Sequence, residues 1–310
     1  MDISVIIPNY NGEQLLKKNL EKVYQEIDSY KLGKAEIIVA DDGSSDSSLS
    51  FLNEFSKTHQ DFKIVVNKKN LGFAPAVNKG VEASSGEIII LLNTDVYPEA
   101  GFLEPLLKHF SNIKVFAAGA LDRSIENHGV ILRGRGLGEW RRGFLVHRRG
   151  EVDKSNTLWV SGGSGAFRKT IWEKLGGFNE LYAPFYWEDI DLSYRALKSG
   201  YKILFEPKSV VVHEHEKGTI RNKYSESRIK TVAYRNQFIF AWGNMTDLSL
   251  KILHILWLPV HLARALIASD WEFYFGFFGA LILLPKVIKF SFKAQKLFVL
   301  KDSEVIKNYK

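Results

Sequence analysis

No cysteine occurs in the 310 residues, which excludes a disulfide framework, a zinc site built on thiolates and a thiol nucleophile. That absence suits a reducing compartment. The opening "MDISVIIPNY" has no basic start and only a short apolar run, so it does not read as a secretory signal and predicts a first β-strand. No G-x-G-x-x-G follows a strand and opens a helix; "GGSGAF" arrives late, after "LWV", with the wrong spacing for a dinucleotide-dependent oxidoreductase. A Gly-rich, Arg/Lys-bearing phosphate loop is also missing after the first strand, where "PNYNGEQLLKK" offers one glycine, and this counts against a sugar nucleotidyltransferase. Finally, apolar runs of 18 or more residues are lacking, because His254, His261 and Arg264 interrupt one candidate and Lys286 closes another; a simple membrane span is therefore not expected.

What is present is 45% hydrophobic and 25% charged residues, enough for one large domain with an extension. The formal net charge of +7 is concentrated in two zones. Arg123, Arg133, Arg135, Arg141, Arg142, Arg148 and Arg149 crowd one segment, and Lys286, Lys289, Lys293, Lys296, Lys301, Lys307 and Lys310 mark the tail. Both zones point to anionic partners, phosphates or a membrane surface. Nucleic acid is not expected as a partner, since no recognised module accompanies the basic, aromatic stretch.

Nearly continuous apolar runs at 3–8, 35–40, 62–67, 87–93 and 114–119 read as strands buried on both faces. About 20 residues separate successive runs, room for crossover helices, so the class is α/β with a mainly parallel central sheet flanked by helices. Residues 120–157, rich in Gly and Arg, predict a mobile loop. "YKILFEPKSVVVHEH" predicts one or two further strands. After about 247 the composition turns strongly apolar and aromatic, and predicts an amphipathic helical extension at a membrane interface, with a helix pair packed on the domain's own core as the other reading.

In parallel α/β sheets, ligands bind beyond the carboxyl ends of the strands. Those ends read "PNYNG", "DDGSSDSS", "NKKNLGFA" and "NTDVYPE". Asp41 and Asp42 could cap a helix or accept hydrogen bonds from a nucleotide. Asn93 and Asp95 lie two apart after a strand, where oxygen ligands suit Mg2+ or Mn2+ completed by phosphates. His213 and His215 leave another apolar strand and offer an imidazole to the same ion. In "FYWEDIDLSYR", Glu188, Asp189 and Asp191 could simply complement a helix dipole, but the aromatic wall of Phe185, Tyr186 and Trp187 raises carboxylate pKa and binds sugars, a setting for a general base.

Taken together, "VIIPNYNG", "VADDGSSDSS", "NLGFAPAVNKG", "LLNTDVYPE", "GGSGAFRKTIWEKLGGFNE", "WEDIDLSYR" and "VVVHEHEKGT" resemble, in order and spacing, the family 2 glycosyltransferases of GT-A fold. The closest flavour is the bacterial branch of rhamnosyl and other sugar transferases of surface-polysaccharide assembly. The resemblance covers residues 3–245. It implies a transferase domain over 1–245, with a nucleotide-binding half (1–120) and an acceptor half (121–245), followed by a membrane-associated tail over 246–310. It also implies an inverting, metal-dependent transfer from a nucleotide-diphosphate sugar to a glycan or lipid-diphosphate-linked acceptor, in the cytoplasm at the inner face of the membrane. Pro8, Tyr10, Asp41, Asp42, Asn70, Gly72, Asn78 and Asn93 would bind the nucleotide sugar. Asp95 and His213, with His215 in reserve, would hold Mn2+ or Mg2+, although Asn93-Thr94-Asp95 departs from the family's Asp-x-Asp. Asp189 would be the base and Glu188 its support; Gly162, Gly163, Trp187 and Asp191 would lie on the acceptor side. A catalytically inactive nucleotide-binding scaffold is the alternative.

Overall fold

The predicted apolar runs line up side by side in a computed structural model of the chain, which describes residues 1–126, 129–214 and 223–310. Strands β1 (Ile3–Asn9), β2 (Ala35–Asp41), β3 (Phe62–Val66) and β4 (Ile88–Leu92) pair in parallel, in the order β3-β2-β1-β4. Helices α1 (Glu13–Asp28), α2 (Ser48–Thr58) and α3 (Phe73–Glu82) are the crossovers between them.

Beyond β4 the sheet is mixed rather than mainly parallel. Strand β10 (Ser164–Arg168) runs antiparallel between β4 and β6 (Val115–Glu126). Strand β11 (Lys202–Glu214) is parallel to β6 and carries β5 (Val96–Pro98) antiparallel at the far edge. Alternate side chains of β1 feed two cores: Val5 and Ile7 join Leu16, Leu20 and Leu52 on one face, and Ile6 joins Val77, Trp172 and Leu192 on the other.

One expectation needs correction. The "mobile loop" of 120–157 is largely regular: β6 extends to Glu126, β7 (Gly129–Arg133) pairs with it, and β8 (Gly136–Arg141) forms a hairpin with β9 (Phe144–Arg149). The glycines serve geometry there. Arg142 and Gly143 both have positive φ (51° and 82°), as a two-residue hairpin turn requires, and Gly136 lies against the Trp159 ring, where a Cβ would come within 2.2 Å. The apolar tail forms two long helices. Helices α8 (Leu248–Ile267) and α9 (Trp271–Gln295) are continuous and, by length and composition alone, long and apolar enough to cross a membrane.

Both tail helices nevertheless pack along one side of the domain. Phe273, Gly276, Ala280, Val287, Ser291 and Ala294 form the buried stripe of α9. Gly276 is pressed so closely on α7 (Glu226–Asn244) that a Cβ would stand 2.6 Å from Tyr234 Cβ. The opposite stripe, Trp271, Phe275, Phe278 and Ile282, is exposed, as are Leu248, Ile252 and Ile255 on α8. Both stripes follow helical spacing. The chain ends in α10 (Asp302–Ile306), which returns to the domain core with Val305 and Ile306 buried.

Candidate active site

The carboxyl ends of β1, β2 and β4 converge on one rim of the sheet, and the turns leaving them are held by their own acids. Asp41 is fully buried and accepts from Asn9 Nδ2 (2.8 Å), Ser44 N (2.9 Å) and Ser44 Oγ (2.6 Å). Asp42 accepts from Asn67 Nδ2 (2.8 Å), Leu71 N (3.0 Å) and Gly72 N (2.7 Å). These carboxylates therefore tie β1 to the β2 turn, and that turn to the start of α3. Pro8, Tyr10 and Asn70 remain partly exposed along the rim. The ammonium of Lys223 sits 3.9 Å from the Tyr10 ring centroid, a cation–π contact. Gly72 has φ 102° and a Cβ there would lie 3.0 Å from Pro184 Cα, so glycine is required where α3 meets the acidic loop. Asn78 faces away from the rim: its Nδ2 donates to Phe178 O (2.9 Å) and its Oδ1 accepts from Phe178 N (3.0 Å).

At the end of β4, Asn93, Thr94 and Asp95 form a tight turn, which buried Asn19 on α1 holds through Thr94 O (2.9 Å). Because β5 pairs with β11 at Val96↔His213, the imidazole of His213 is brought beside the turn: Nε2 lies 3.2 Å from Asp95 Oδ2. Its Nδ1 lies 3.0 Å from Asp122 Oδ2 on β6. Burial pulls the His213 pKa down, but hydrogen bonds to Asp122 and Asp95 outweigh it and hold it at about 9. With the Nε2 proton displaced, one carboxylate oxygen and one imidazole nitrogen, with a carboxylate orienting the ring from behind, are a donor set that suits Mn2+ or Mg2+ completed by phosphate oxygens. Asn93 Oδ1 is buried without a partner. Among the described residues no group of three or more His, Asp or Glu is arranged to hold a metal by itself. His215 lies outside the described residues.

Glu188, Asp189 and Asp191 sit at the start of α6 (Glu188–Lys198). Tyr186 and Trp187, just before it, have φ of 71° and 79°, a left-handed conformation that costs on the order of 1–3 kcal/mol at each such residue. The turn they make aims the following acids differently. Asp191 is fully buried and points inward, accepting from Tyr182 Oη (2.9 Å), Arg195 Nε (2.7 Å) and Asn244 Nδ2 (2.7 Å). It anchors the helix in the core and does not reach the acceptor side. Glu188 is 7% exposed and its Oε2 has no partner; burial and the neighbouring Asp189 push its carboxyl up to about 8. Asp189 is half-buried, and burial raises its pKa too. Backbone N–H groups of Ile190 (2.8 Å) and Gly162 (3.4 Å) favour its ionised form. A carboxyl pushed up to about 8, as that of Glu188 is, keeps its proton near neutral pH.

Gly162 and Gly163 join the two ends of the site. Gly162 N reaches Asp189, and the next carbonyl, Gly163 O, accepts from Asn93 N at 3.1 Å. A Cβ at Gly163 would stand 2.5 Å from Asn93 Nδ2. Trp187 is buried, and His147 of β9 packs edge-on against it at 5.2 Å and against Trp159 at 5.4 Å. His147, Asp122 and Asn19 carry no signal in the linear sequence, since each meets the site only through strand pairing or helix packing.

The sequence pattern described as "Glycosyl transferase family 2" matches residues 4–176. The pre-mycofactocin glycosyltransferase of Mycobacterium tuberculosis is 27% identical over 221 residues, which are 69% of this chain and 43% of that protein. The chain thus spans about half the length of curated relatives it matches. Among solved structures, S. aureus TarS in complex with UDP-GlcNAc superposes with a TM-score of 0.62 at 14% identity, covering 100% of this chain and 89% of TarS. GalNAc-T7 with UDP, GalNAc and Mn2+ gives a TM-score of 0.65 at 20% identity, over 78% of this chain and 48% of that one. These likenesses show the GT-A fold.

Proposed function

Because the chain belongs to glycosyl transferase family 2, we propose that it is an inverting glycosyltransferase that moves a sugar from a nucleotide-diphosphate sugar to a hydroxyl of a glycan or lipid-linked acceptor. The observation that carries this reading is the Gly162–Gly163 connection, which sets Asp189 on one side of a small-residue floor and Asn93 with Asp95 on the other. In the reading, Asp189 accepts the proton of the acceptor hydroxyl while that oxygen attacks the anomeric carbon. The bond to the diphosphate breaks on the opposite face, so a single displacement inverts the centre. Protonated Glu188 keeps a second negative charge away from the base. The work required is positioning and one general base.

Pro8, Tyr10 and Asn70 border the nucleotide in this reading, Asp41, Asp42 and Gly72 shape the turns beneath it, and Asn93 faces the donor sugar. Asp95 and His213 would hold Mn2+ or Mg2+; a divalent cation there supplies positive charge for the departing diphosphate. The neighbour solved with UDP and Mn2+ supports a divalent ion of this kind. Residues 1–120 would form the nucleotide half, 121–245 the acceptor half and 246–310 the membrane-facing tail. The exposed stripes of α8 and α9, flanked by Lys286, Lys289 and Lys293, support peripheral association with the cytoplasmic face of a membrane and a lipid-diphosphate-linked acceptor in surface-polysaccharide synthesis.

The test is a thermal-shift titration with UDP, GDP and dTDP, with and without Mn2+, on the wild type and on Asp95→Ala. Stabilisation by one nucleotide that needs both the metal and Asp95 is the expected result. Equal stabilisation of Asp95→Ala would remove the metal from the reading, and no shift with any nucleotide would favour a scaffold without donor binding.

A further inference from the structure

We infer that Asn236, in the middle of α7, is a positioning residue that sets the backbone from which Asp189 is presented. The inference rests on the proposed role of Asp189.

Asn236 is fully buried, between residues of an otherwise aromatic and aliphatic helix face in "RNQFIF". A buried amide is costly unless its groups are bonded, and here they are bonded to one short segment. Its Nδ2 lies 2.8 Å from Tyr182 O, 2.9 Å from Phe185 O and 2.9 Å from Tyr186 O. Its Oδ1 accepts from Arg235 Nε at 3.0 Å, which fixes the amide orientation, since the flipped amide would face three carbonyls with an oxygen. The Arg235 guanidinium adds bonds to Tyr182 O (3.3 Å) and to Ala183 O. Four carbonyls between residues 182 and 186 are thus met by two adjacent side chains of a helix some fifty positions downstream.

That segment needs such support. Tyr186 and Trp187 adopt left-handed conformations in succession, so the carbonyls before them turn inward, where no sheet or helix ladder can satisfy them. Glu188 and Asp189 follow at once, and the direction in which α6 starts is set by this turn. Asn236 touches neither acid. It acts on the reaction through the loop, and a misplacement of the base by about 1 Å is enough to lower turnover about a hundredfold.

The experiment compares wild type with Asn236→Ala, Asn236→Asp and Arg235→Met; Asp189→Asn is the control for the underlying reading. Hydrogen–deuterium exchange is read on each protein alone. Faster exchange confined to residues 182–191 is expected, and unchanged exchange there in folded Asn236→Ala overturns the inference. Turnover is then read as hydrolysis, by water, of whichever of the UDP-, GDP- or dTDP-hexoses the wild type cleaves. The expected result for Asn236→Ala is a kcat reduced about thirtyfold or more with the donor KM within about threefold of wild type. A purely structural role would instead lower the active fraction and leave the kcat of the folded fraction and its pH profile unchanged, which also overturns the inference. If Asn236→Ala does not fold, half-buried Arg235→Met decides by the same two readouts. Loss of turnover in Asp189→Asn with full turnover in folded Asn236 variants refutes the positioning role alone; full turnover in Asp189→Asn refutes the reading beneath it.

Discussion

Lys198 and Asp302, 104 positions apart, form an ion pair of 2.8 Å with both side chains fully buried. Lys198 is in the last turn of α6, the helix that begins with the candidate base, and Asp302 opens the terminal helix. Asp302 also accepts from Tyr194 Oη (2.7 Å), Thr246 N (2.6 Å) and Asp247 N (2.9 Å), so each carboxylate oxygen is satisfied. Beyond the apolar hairpin of α8 and α9, then, the chain is locked back onto the helix it left.

Removing one partner of this pair strands a buried charge. Asp302→Ala is expected to destabilise the protein by roughly 3–5 kcal/mol in urea unfolding, whereas the double replacement Lys198→Met/Asp302→Leu recovers only part of that loss, that of the stranded charge, because Tyr194 Oη, Thr246 N and Asp247 N still lose their acceptor. A single replacement costing under about 1 kcal/mol would show that the pair is solvated in solution.

For the proposed base, Asp189→Asn keeps the side-chain shape and is expected to lower turnover about 10²- to 10⁴-fold while leaving nucleotide-induced stabilisation unchanged. Turnover within a few-fold of wild type in the folded variant would exclude Asp189 from proton transfer.

The pH dependence follows from Glu188. Its folded pKa of about 8 stands above the ordinary glutamate value of 4.5, so the folded state binds more protons than the unfolded state between these values. Stability from this group therefore falls as pH rises from about 4.5 to about 8 and is constant beyond. Glu188→Gln removes that dependence: its stability relative to wild type should increase by roughly 4 kcal/mol between pH 5 and pH 8.5. A difference that does not change with pH would show that Glu188 ionises normally.

On the exposed side of the tail, Phe275 and Phe278 are 63% and 56% exposed on the outer stripe of α9. Phe275→Glu/Phe278→Glu is expected to reduce sedimentation with phosphatidylglycerol vesicles about tenfold or more without altering the fold. Wild type should bind neutral phosphatidylcholine vesicles less tightly, since each lysine near an anionic surface contributes about 1 kcal/mol. Unchanged vesicle binding by the double variant would move the contact elsewhere on the molecule.

Much of this architecture was legible along the chain. The apolar runs at 3–8, 35–40 and 87–93 became β1, β2 and β4 because a strand buried on both faces leaves little compositional freedom, and the polar residues after them became the rim of the site. Composition misleads where glycine and arginine suggest mobility: Gly136 and Gly143 serve close packing and a hairpin turn, purposes that depend on Trp159 and on strand pairing. Local pattern also misleads for Asp191, whose spacing from Asp189 says nothing about the three donors gathered around it from two helices and a turn.

The sequence by itself determined the α/β class, the family and the short acidic stretches from which a site could be assembled, because hydrophobic periodicity and turn chemistry are local properties of the chain. Only the tertiary structure decided which acids face one another. The pairing of β5 with β11 sets His213 beside Asp95, the Gly162–Gly163 floor links Asp189 to Asn93, and α7 lends Asn236 to a loop fifty residues earlier. Those contacts join residues far apart in the chain, and their energies depend on burial and on satisfied hydrogen bonds that exist only once the sheet and helices have packed.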